Sequence, residues 1–246
     1  MELVYSKIFH LSASASDRFD RLKCSQILDL IQEVAGDHSM LLGTGRNELT
    51  QRRLFWAVLR HRVQITRLPR AGEDITVETW PMPTTRTAYP RSTVAFDAEG
   101  KELFRAVSLW VLMDMDTRAM VLPGKSGVEV NGLMRGNEPA VPGSLIPGDY
   151  QNYVQRTVRF SDLDWNGHMN NCRYLDWVLD TLPSDFHREN PAREFSVCYL
   201  SEAKEGETLH LQWQLQEGMK LSVNALRSGD GSENGHSRVF AAQLLF

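Results

Sequence analysis

Eleven residues, Ser161-Asp162-Leu163-Asp164-Trp165-Asn166-Gly167-His168-Met169-Asn170-Asn171, bring together two carboxylates, three carboxamides and an imidazole. Such a set can bind a cation, cap a helix or move protons. Asp162-x-Asp164-x-Asn166-Gly167 fits the first half of an EF-hand calcium loop. The twelfth position of that loop needs a bidentate glutamate, and here it is Arg173, which repels the ion. A transition-metal site needs several His, Cys or carboxylate ligands, and His168 stands among poorly ligating asparagines. The expectation is therefore no metal and no cofactor. Capping accounts for Asn170 or Asn171, whose side chains can accept from the first free N–H groups of a helix. It leaves Asp164, Asn166 and His168 unexplained.

Those three residues sit at i, i+2 and i+4. In extended or looping backbone, alternate side chains fall on one side, so all three can converge beside the start of the helix that follows. A helix N-terminus carries unpaired N–H groups and partial positive charge. A carbonyl held there has its developing oxyanion stabilised. A carboxylate can serve as base or nucleophile, with carboxamide and imidazole holding the reacting groups. The chemistry this favours is attack on an acyl carbon.

The elements that must position these groups occur twice. A strand at residues 4–11 precedes a helix at 23–42, where Ile27, Leu30, Ile31 and Val34 make one apolar face. Strands follow at 55–68, 74–80, 91–97 and 103–114. From Pro123 to Tyr150 periodicity disappears and glycine and proline, Pro147 included, become dense. That segment reads as a linker at 123–150 between domains at 1–122 and 151–246. Beyond it come a strand at 153–160, a helix at 171–182 closed by Pro183, and strands at 195–201, 208–216, 221–227 and 239–246.

Residues recur as well. Arg70-Ala71-Gly72-Glu73-Asp74-Ile75-Thr76-Val77 matches Lys204-Glu205-Gly206-Glu207-Thr208-Leu209-His210-Leu211. Leu28-Asp29-Leu30-Ile31 matches Leu175-Asp176-Trp177-Val178, and Ala106-Val107-Ser108-Leu109 matches Ala241-Ala242-Gln243-Leu244. Three weak matches in one order indicate a tandem duplication. A helix with one apolar stripe needs a sheet face to bury against. The fold class expected is α+β, a tandem (double) hotdog, each half an antiparallel sheet wrapped around one long helix.

Duplication supplies an internal control. Asp164 falls opposite Asp17, Asn166 opposite Phe19, His168 opposite Arg21 and Glu202 opposite Leu68. A cluster that only stabilised the fold would be wanted in both halves. Its apparent restriction to the second half favours a functional reading.

Composition narrows the class further. Of 246 residues, 42% are hydrophobic and 24% charged, ordinary proportions for a globular protein, and the net charge of −4 offers no general footprint for nucleic acid or anionic membrane. No apolar run approaches the ~20 residues of a membrane span. Met1-Glu2-Leu3-Val4-Tyr5-Ser6-Lys7 lacks the pattern of a secretory signal. Cys24, Cys172 and Cys198 have no metal-ligand spacing and read as free thiols in a reducing cytoplasm.

The run Asp162-Leu163-Asp164-x-Asn166-x-His168-Met169-Asn170-Asn171-x-x-Tyr174-x-x-Trp177, followed by Leu182-Pro183, resembles the signature of the acyl-acyl carrier protein (acyl-ACP) thioesterases, the plant enzymes that end fatty acid synthesis and their bacterial relatives. The first half is similar to that family too, in Ile27-Leu28-x-x-Ile31-Gln32-Glu33-Val34-Ala35, Trp56-Ala57-Val58, Gly72-Glu73-x-Ile75-x-Val77-x-Thr79-Trp80 and Ala106-x-Ser108-x-Trp110-Val111. The resemblance implies tandem hotdog domains, the first shaping the acyl pocket and the second carrying the catalytic groups. It assigns Asp164, Asn166 and His168 to catalysis. The family's Tyr-x-x-Glu-Cys is met by Tyr199-Leu200-Ser201-Glu202-Ala203, which adds Glu202 and lacks the cysteine. A papain-like thiol mechanism at that position is excluded, and Cys172 and Cys198 read as core residues.

The reaction so implied is hydrolysis of a fatty acyl-ACP thioester, with either carboxylate acting on the acyl carbon or on water. The partner is the acyl carrier protein on its phosphopantetheine arm, and the chain acts as a monomer or homodimer. The stretch Arg46, Arg52, Arg53, Arg60, Arg62, Arg67 and Arg70 is a candidate docking face for that acidic partner. The rival readings are an acyl-CoA thioesterase of the same fold and a non-catalytic acyl-binding or sensing protein.

Overall fold

The computed structural model describes residues 3–146, 148, 150–227 and 237–246. Met1, Glu2 and Pro147, used above in reading the N-terminus and the linker, lie outside the described residues. The chain divides into two compact units, Met1–Pro142 and Gly143–Phe246.

The first unit runs β1 (Tyr5–His10), α1 (Cys24–Leu41), α2 (Arg46–Gln51), β2 (Leu54–Ile65), β3 (Asp74–Pro81), β4 (Tyr89–Phe96), β5 (Glu102–Asp114), β6 (Met120–Val121) and α3 (Pro123–Ser126). Its strands pair antiparallel in the order β1-β3-β4-β5-β2, and β6 adds to β5. The 18-residue α1 lies against β3 and β1. Ile27, Leu28, Ile31 and Val34 are completely enclosed. Each such side chain contributes about 1.5–3 kcal/mol over an exposed one. The helix ends where Gly43 adopts φ 69°, a left-handed conformation that glycine takes without a Cβ clash.

The second unit runs β7 (Asn152–Thr157), α4 (Arg173–Leu179), α5 (Ser184–Glu189), β8 (Glu194–Tyr199), β9 (Thr208–Gln216), β10 (Lys220–Arg227) and β11 (Ser237–Leu245). Its strands pair antiparallel in the order β7-β9-β10-β11-β8. This is the path of the first unit repeated: strand, helix, strand, then a three-strand meander, with the strand after the helix at the far edge. Leu175 and Val178 of α4 are fully buried, and Tyr174 packs edge-on against Phe240 of β11 with ring centroids 4.6 Å apart.

The second helix is shorter than its sequence implies. The expected span is 171–182, and α4 has seven residues. Pro183 restricts Leu182 away from the helical region. The chain responds by tightening: Thr181 and Leu182 donate their N–H groups three residues back, to Val178 and Leu179. Thr181 Oγ1 also donates to the Val178 carbonyl at 2.7 Å. After Pro183 the chain re-enters a helix as α5.

In the segment expected as a linker, residues 124–138 are tied to the first unit. Val128 packs with Leu49, Leu54, Tyr89 and Leu112, and Tyr89 Oη donates to the Val128 carbonyl at 3.2 Å. Trp80 Nε1 donates to Glu138 Oε1 at 3.3 Å. Among the described residues, no helix is long and apolar enough to cross a membrane.

Candidate active site

Each unit passes from its first strand to its helix through the same loop. In the second unit a 3-10 turn at Phe160–Asp162 leads to a β-bridge between Leu163 and Met169. Inside the bridge Asp164 Oδ1 accepts the backbone N–H groups of Asn166 (2.8 Å) and His168 (3.2 Å). The Asp164 N–H donates to the His168 carbonyl at 2.7 Å. In the first unit the turn is Ala13–Ala15 and the bridge joins Ser16 to Leu22. There Asp17 Oδ1 accepts the N–H groups of Phe19 (2.8 Å) and Arg21 (3.1 Å). The Asp17 N–H donates to the Arg21 carbonyl at 2.7 Å. The third residue after each aspartate is left-handed, Asp20 at φ 59° and Gly167 at φ 78°.

This corrects the expectation that the whole cluster is confined to one half. The aspartate holds a loop that both halves share. Oδ1 of Asp164 is occupied by that task, so only Oδ2 is left for other work. What the second unit has alone is Asn166, His168 and Glu202.

The side chains form two linked pairs. Asn166 Nδ2 lies 3.4 Å from Asp164 Oδ2. His168 Nε2 lies 3.3 Å from Glu202 Oε2, with the two side chains 23% and 49% exposed. His168 Nδ1 bonds no described residue. The pairs are joined because Asp164 Oδ1 holds the backbone of both Asn166 and His168.

Glu202 arrives from the turn after β8, and that turn is fastened on several sides. A β-bridge joins His168 to Lys204, and the Met169 N–H donates to the Ala203 carbonyl at 2.8 Å. Arg227, at the end of β10, donates through Nη2 to the Glu202 carbonyl at 2.5 Å. The same guanidinium bonds Glu207 at 2.8 and 3.0 Å. The buried Tyr174 hydroxyl hydrogen-bonds the Ala203 backbone, and burial raises its pKa well above the ordinary phenol value. No motif or spacing marks Arg227. Glu207 shows only as the counterpart of Glu73 in the internal repeat.

The remaining residues of the opening cluster shape the backbone. Asp162 Oδ2 accepts the Arg159 N–H at 2.9 Å, closing the 3-10 turn. Asn170 Oδ1 accepts the Cys172 N–H at 2.8 Å, and Tyr199 Oη donates to the Asn171 carbonyl at 2.9 Å. The start of α4 is thus partly satisfied within the chain, and seven residues sum to a short dipole. That weakens the expected role of the helix terminus as an oxyanion site and leaves the Asn166 carboxamide as the side-chain donor for such a role. Cys172 and Cys198 are 1% and 3% exposed, packed in the core, and Ala203 is fully buried.

The arginine stretch is extensively bonded within the first unit. Arg53 pairs with Asp116, Arg67 with Glu73 and Asp97, and Arg70 with Asp20. Arg52 and Arg60 donate to the carbonyls of Gly127 and Pro142.

The family model described as the acyl-ACP thioesterase N-terminal domain matches residues 2–122, and its C-terminal counterpart matches residues 148–239. A palmitoyl-acyl carrier protein thioesterase of Gossypium hirsutum is 27% identical over 201 residues, which cover 74% of this chain and 48% of the relative. A dodecanoyl-[acyl-carrier-protein] hydrolase of Cinnamomum camphora is 29% identical over 192 residues, covering 72% and 50%. Both relatives are chloroplastic, and the chain spans about half the length of the curated relatives it matches. Among solved structures, an acyl-ACP thioesterase from Bacteroides thetaiotaomicron superposes with a TM-score of 0.88 at 23% identity, over 98% of this chain and 97% of that one. The 12:0-ACP thioesterase from Umbellularia californica gives 0.81 at 23% identity, over 100% and 97%. These two likenesses establish the double-hotdog fold, and with both domain models matched in order the chain belongs to the acyl-ACP thioesterase family.

Proposed function

We propose that this chain hydrolyses the thioester of a fatty acyl-acyl carrier protein and releases the free fatty acid. The observation that carries the mechanism is the His168–Glu202 pair, 3.3 Å apart, beside the carboxamide that Asp164 holds. Glu202 pairs with the ring on its Nε2 side and leaves the Nδ1 lone pair available. Nδ1 takes a proton from water as the water oxygen attacks the acyl carbon. The Asn166 carboxamide donates to the carbonyl oxygen as it becomes an oxyanion. The C–S bond then breaks, and the phosphopantetheine thiolate leaves and takes up a proton. A thiol is far more acidic than an alcohol, so its departure needs little help.

In this reading Asp164 positions Asn166 through Oδ2 and both functional residues through Oδ1. The N-terminal domain (1–122) shapes the acyl pocket, the 123–150 segment connects, and the C-terminal domain (151–246) carries the reacting groups. Buried cysteines that form no disulfide accord with action in the reducing cytoplasm.

The test is a hydrolysis panel of acyl-ACP and acyl-CoA thioesters across chain lengths, run on the native chain and on Glu202→Ala, His168→Ala, Cys172→Ala and Cys198→Ala. We expect turnover of ACP thioesters, a loss of about 10²–10⁴-fold in the first two variants, and retained activity in the cysteine variants. Preference for CoA thioesters would replace the substrate assignment, and undiminished turnover in Glu202→Ala would remove the mechanism.

A further inference from the structure

Among the described residues, the first unit encloses a cation that no carboxylate neutralises. Arg91 on β4 is 8% exposed. Among the described residues its guanidinium bonds only neutral acceptors, both through Nη1: His38 Nδ1 at 3.0 Å and Thr79 Oγ1 at 3.4 Å. Thr79 Oγ1 in turn donates to the Ser92 carbonyl at 2.8 Å. Tyr5 stacks on the His38 ring, centroids 5.9 Å apart. The carboxylate beside His38 in sequence, Asp37, is bonded to Tyr5 Oη at 3.1 Å and Lys7 Nζ at 2.8 Å.

Burying an unpaired charge costs several kcal/mol, and native interiors meet that cost with a counter-charge. Burial lowers the Arg91 pKa only to about 10, so the group stays charged near neutrality. With Nη1 engaged, Nε–H and Nη2–H remain. They form the parallel edge of the guanidinium that matches two carboxylate oxygens. Neither nitrogen is among the polar atoms sealed off without a partner, so this edge faces space that water reaches.

We propose that Arg91, framed by His38 and Thr79, is a binding site for the carboxylate of a small organic acid. The site belongs to the N-terminal unit and is independent of the hydrolytic reading above. A bound carboxylate completes the charge pair and stabilises the folded chain in proportion to its occupancy.

Thermal melting in sodium formate against sodium chloride at equal ionic strength tests it. The native chain should melt higher in formate, by about 5 °C once formate exceeds its Kd a hundredfold. Arg91→Met, which keeps the length and loses the charge, should melt at the same temperature in both salts. Arg91→Lys keeps the charge without the fork and should show less than half the native shift; it carries the comparison if Arg91→Met does not fold. A native midpoint that does not move, one that rises equally in chloride, or a formate shift that persists in Arg91→Met would each overturn the site.

Discussion

Asp164 and Asp17 each close a loop with two backbone hydrogen bonds, so stability and chemistry can be separated at these two positions. Asparagine keeps a side-chain oxygen for the two N–H groups and can hold the same turn. Asp164→Asn should therefore melt near the native temperature. It loses the second carboxylate oxygen that holds the Asn166 amide. Removal of one oxyanion donor lowers kcat about 10²–10³-fold, and that is the loss expected. Asp17→Ala removes the same two bonds from a loop with no reacting groups. It should lower the melting midpoint with kcat within about twofold, since it touches none of the groups proposed to react. Single-turnover hydrolysis in ¹⁸O-labelled water separates the two carboxylate chemistries. Label in the first-turnover acid is expected for direct attack by water, whereas unlabelled acid would show that an enzyme carboxylate itself attacks.

At the scale of elements, the turn after β8 decides where Glu202 points. Arg227 reaches that turn from β10 and holds the Glu202 carbonyl and the Glu207 carboxylate together. Arg227→Gln should leave the His168–Glu202 pair assembled only part of the time. We expect kcat to fall with KM nearly constant, because His168 loses its steady carboxylate partner. Arg227→Lys should restore part of the rate; an unchanged kcat in Arg227→Gln would reduce Arg227 to a structural tie. None of this was legible in the sequence, because Arg227 and Glu202 meet only through strand order. What was legible was local or periodic. The apolar face of Ile27, Leu30, Ile31 and Val34 gave α1 nearly to the residue, and alternation gave β3 and β9. The short α2 and α5 carry too few apolar positions for periodicity to register. The length of α4 was overestimated because its last turn tightens before Pro183 while keeping helix-like spacing of apolar residues.

Across the whole molecule, two copies of one strand path have kept their loops and diverged in what the loops carry. The second copy places Asn166, His168 and Glu202 around its loop; the first places Phe19, Arg21 and Leu68 there and holds its histidines elsewhere. His61 is fully buried between β2 neighbours, with Nδ1 2.7 Å from Ser108 Oγ, and burial lowers its pKa to about 3. An unfolded histidine titrates near 6.5. Between those values the unfolded chain holds a proton that the folded chain refuses. The stabilising contribution is therefore complete above pH 6.5 and is lost as pH falls toward 3. The slope is up to about 1.4 kcal/mol per pH unit. Urea melts from pH 7 to pH 4 should show native stability falling across this window. His61→Gln, which retains a polar group for Ser108 and cannot titrate, should flatten the fall by up to one proton's worth. Equal slopes in the two proteins would show that His61 is already charged in the fold, and that the acid sensitivity of the first unit comes from its carboxylates.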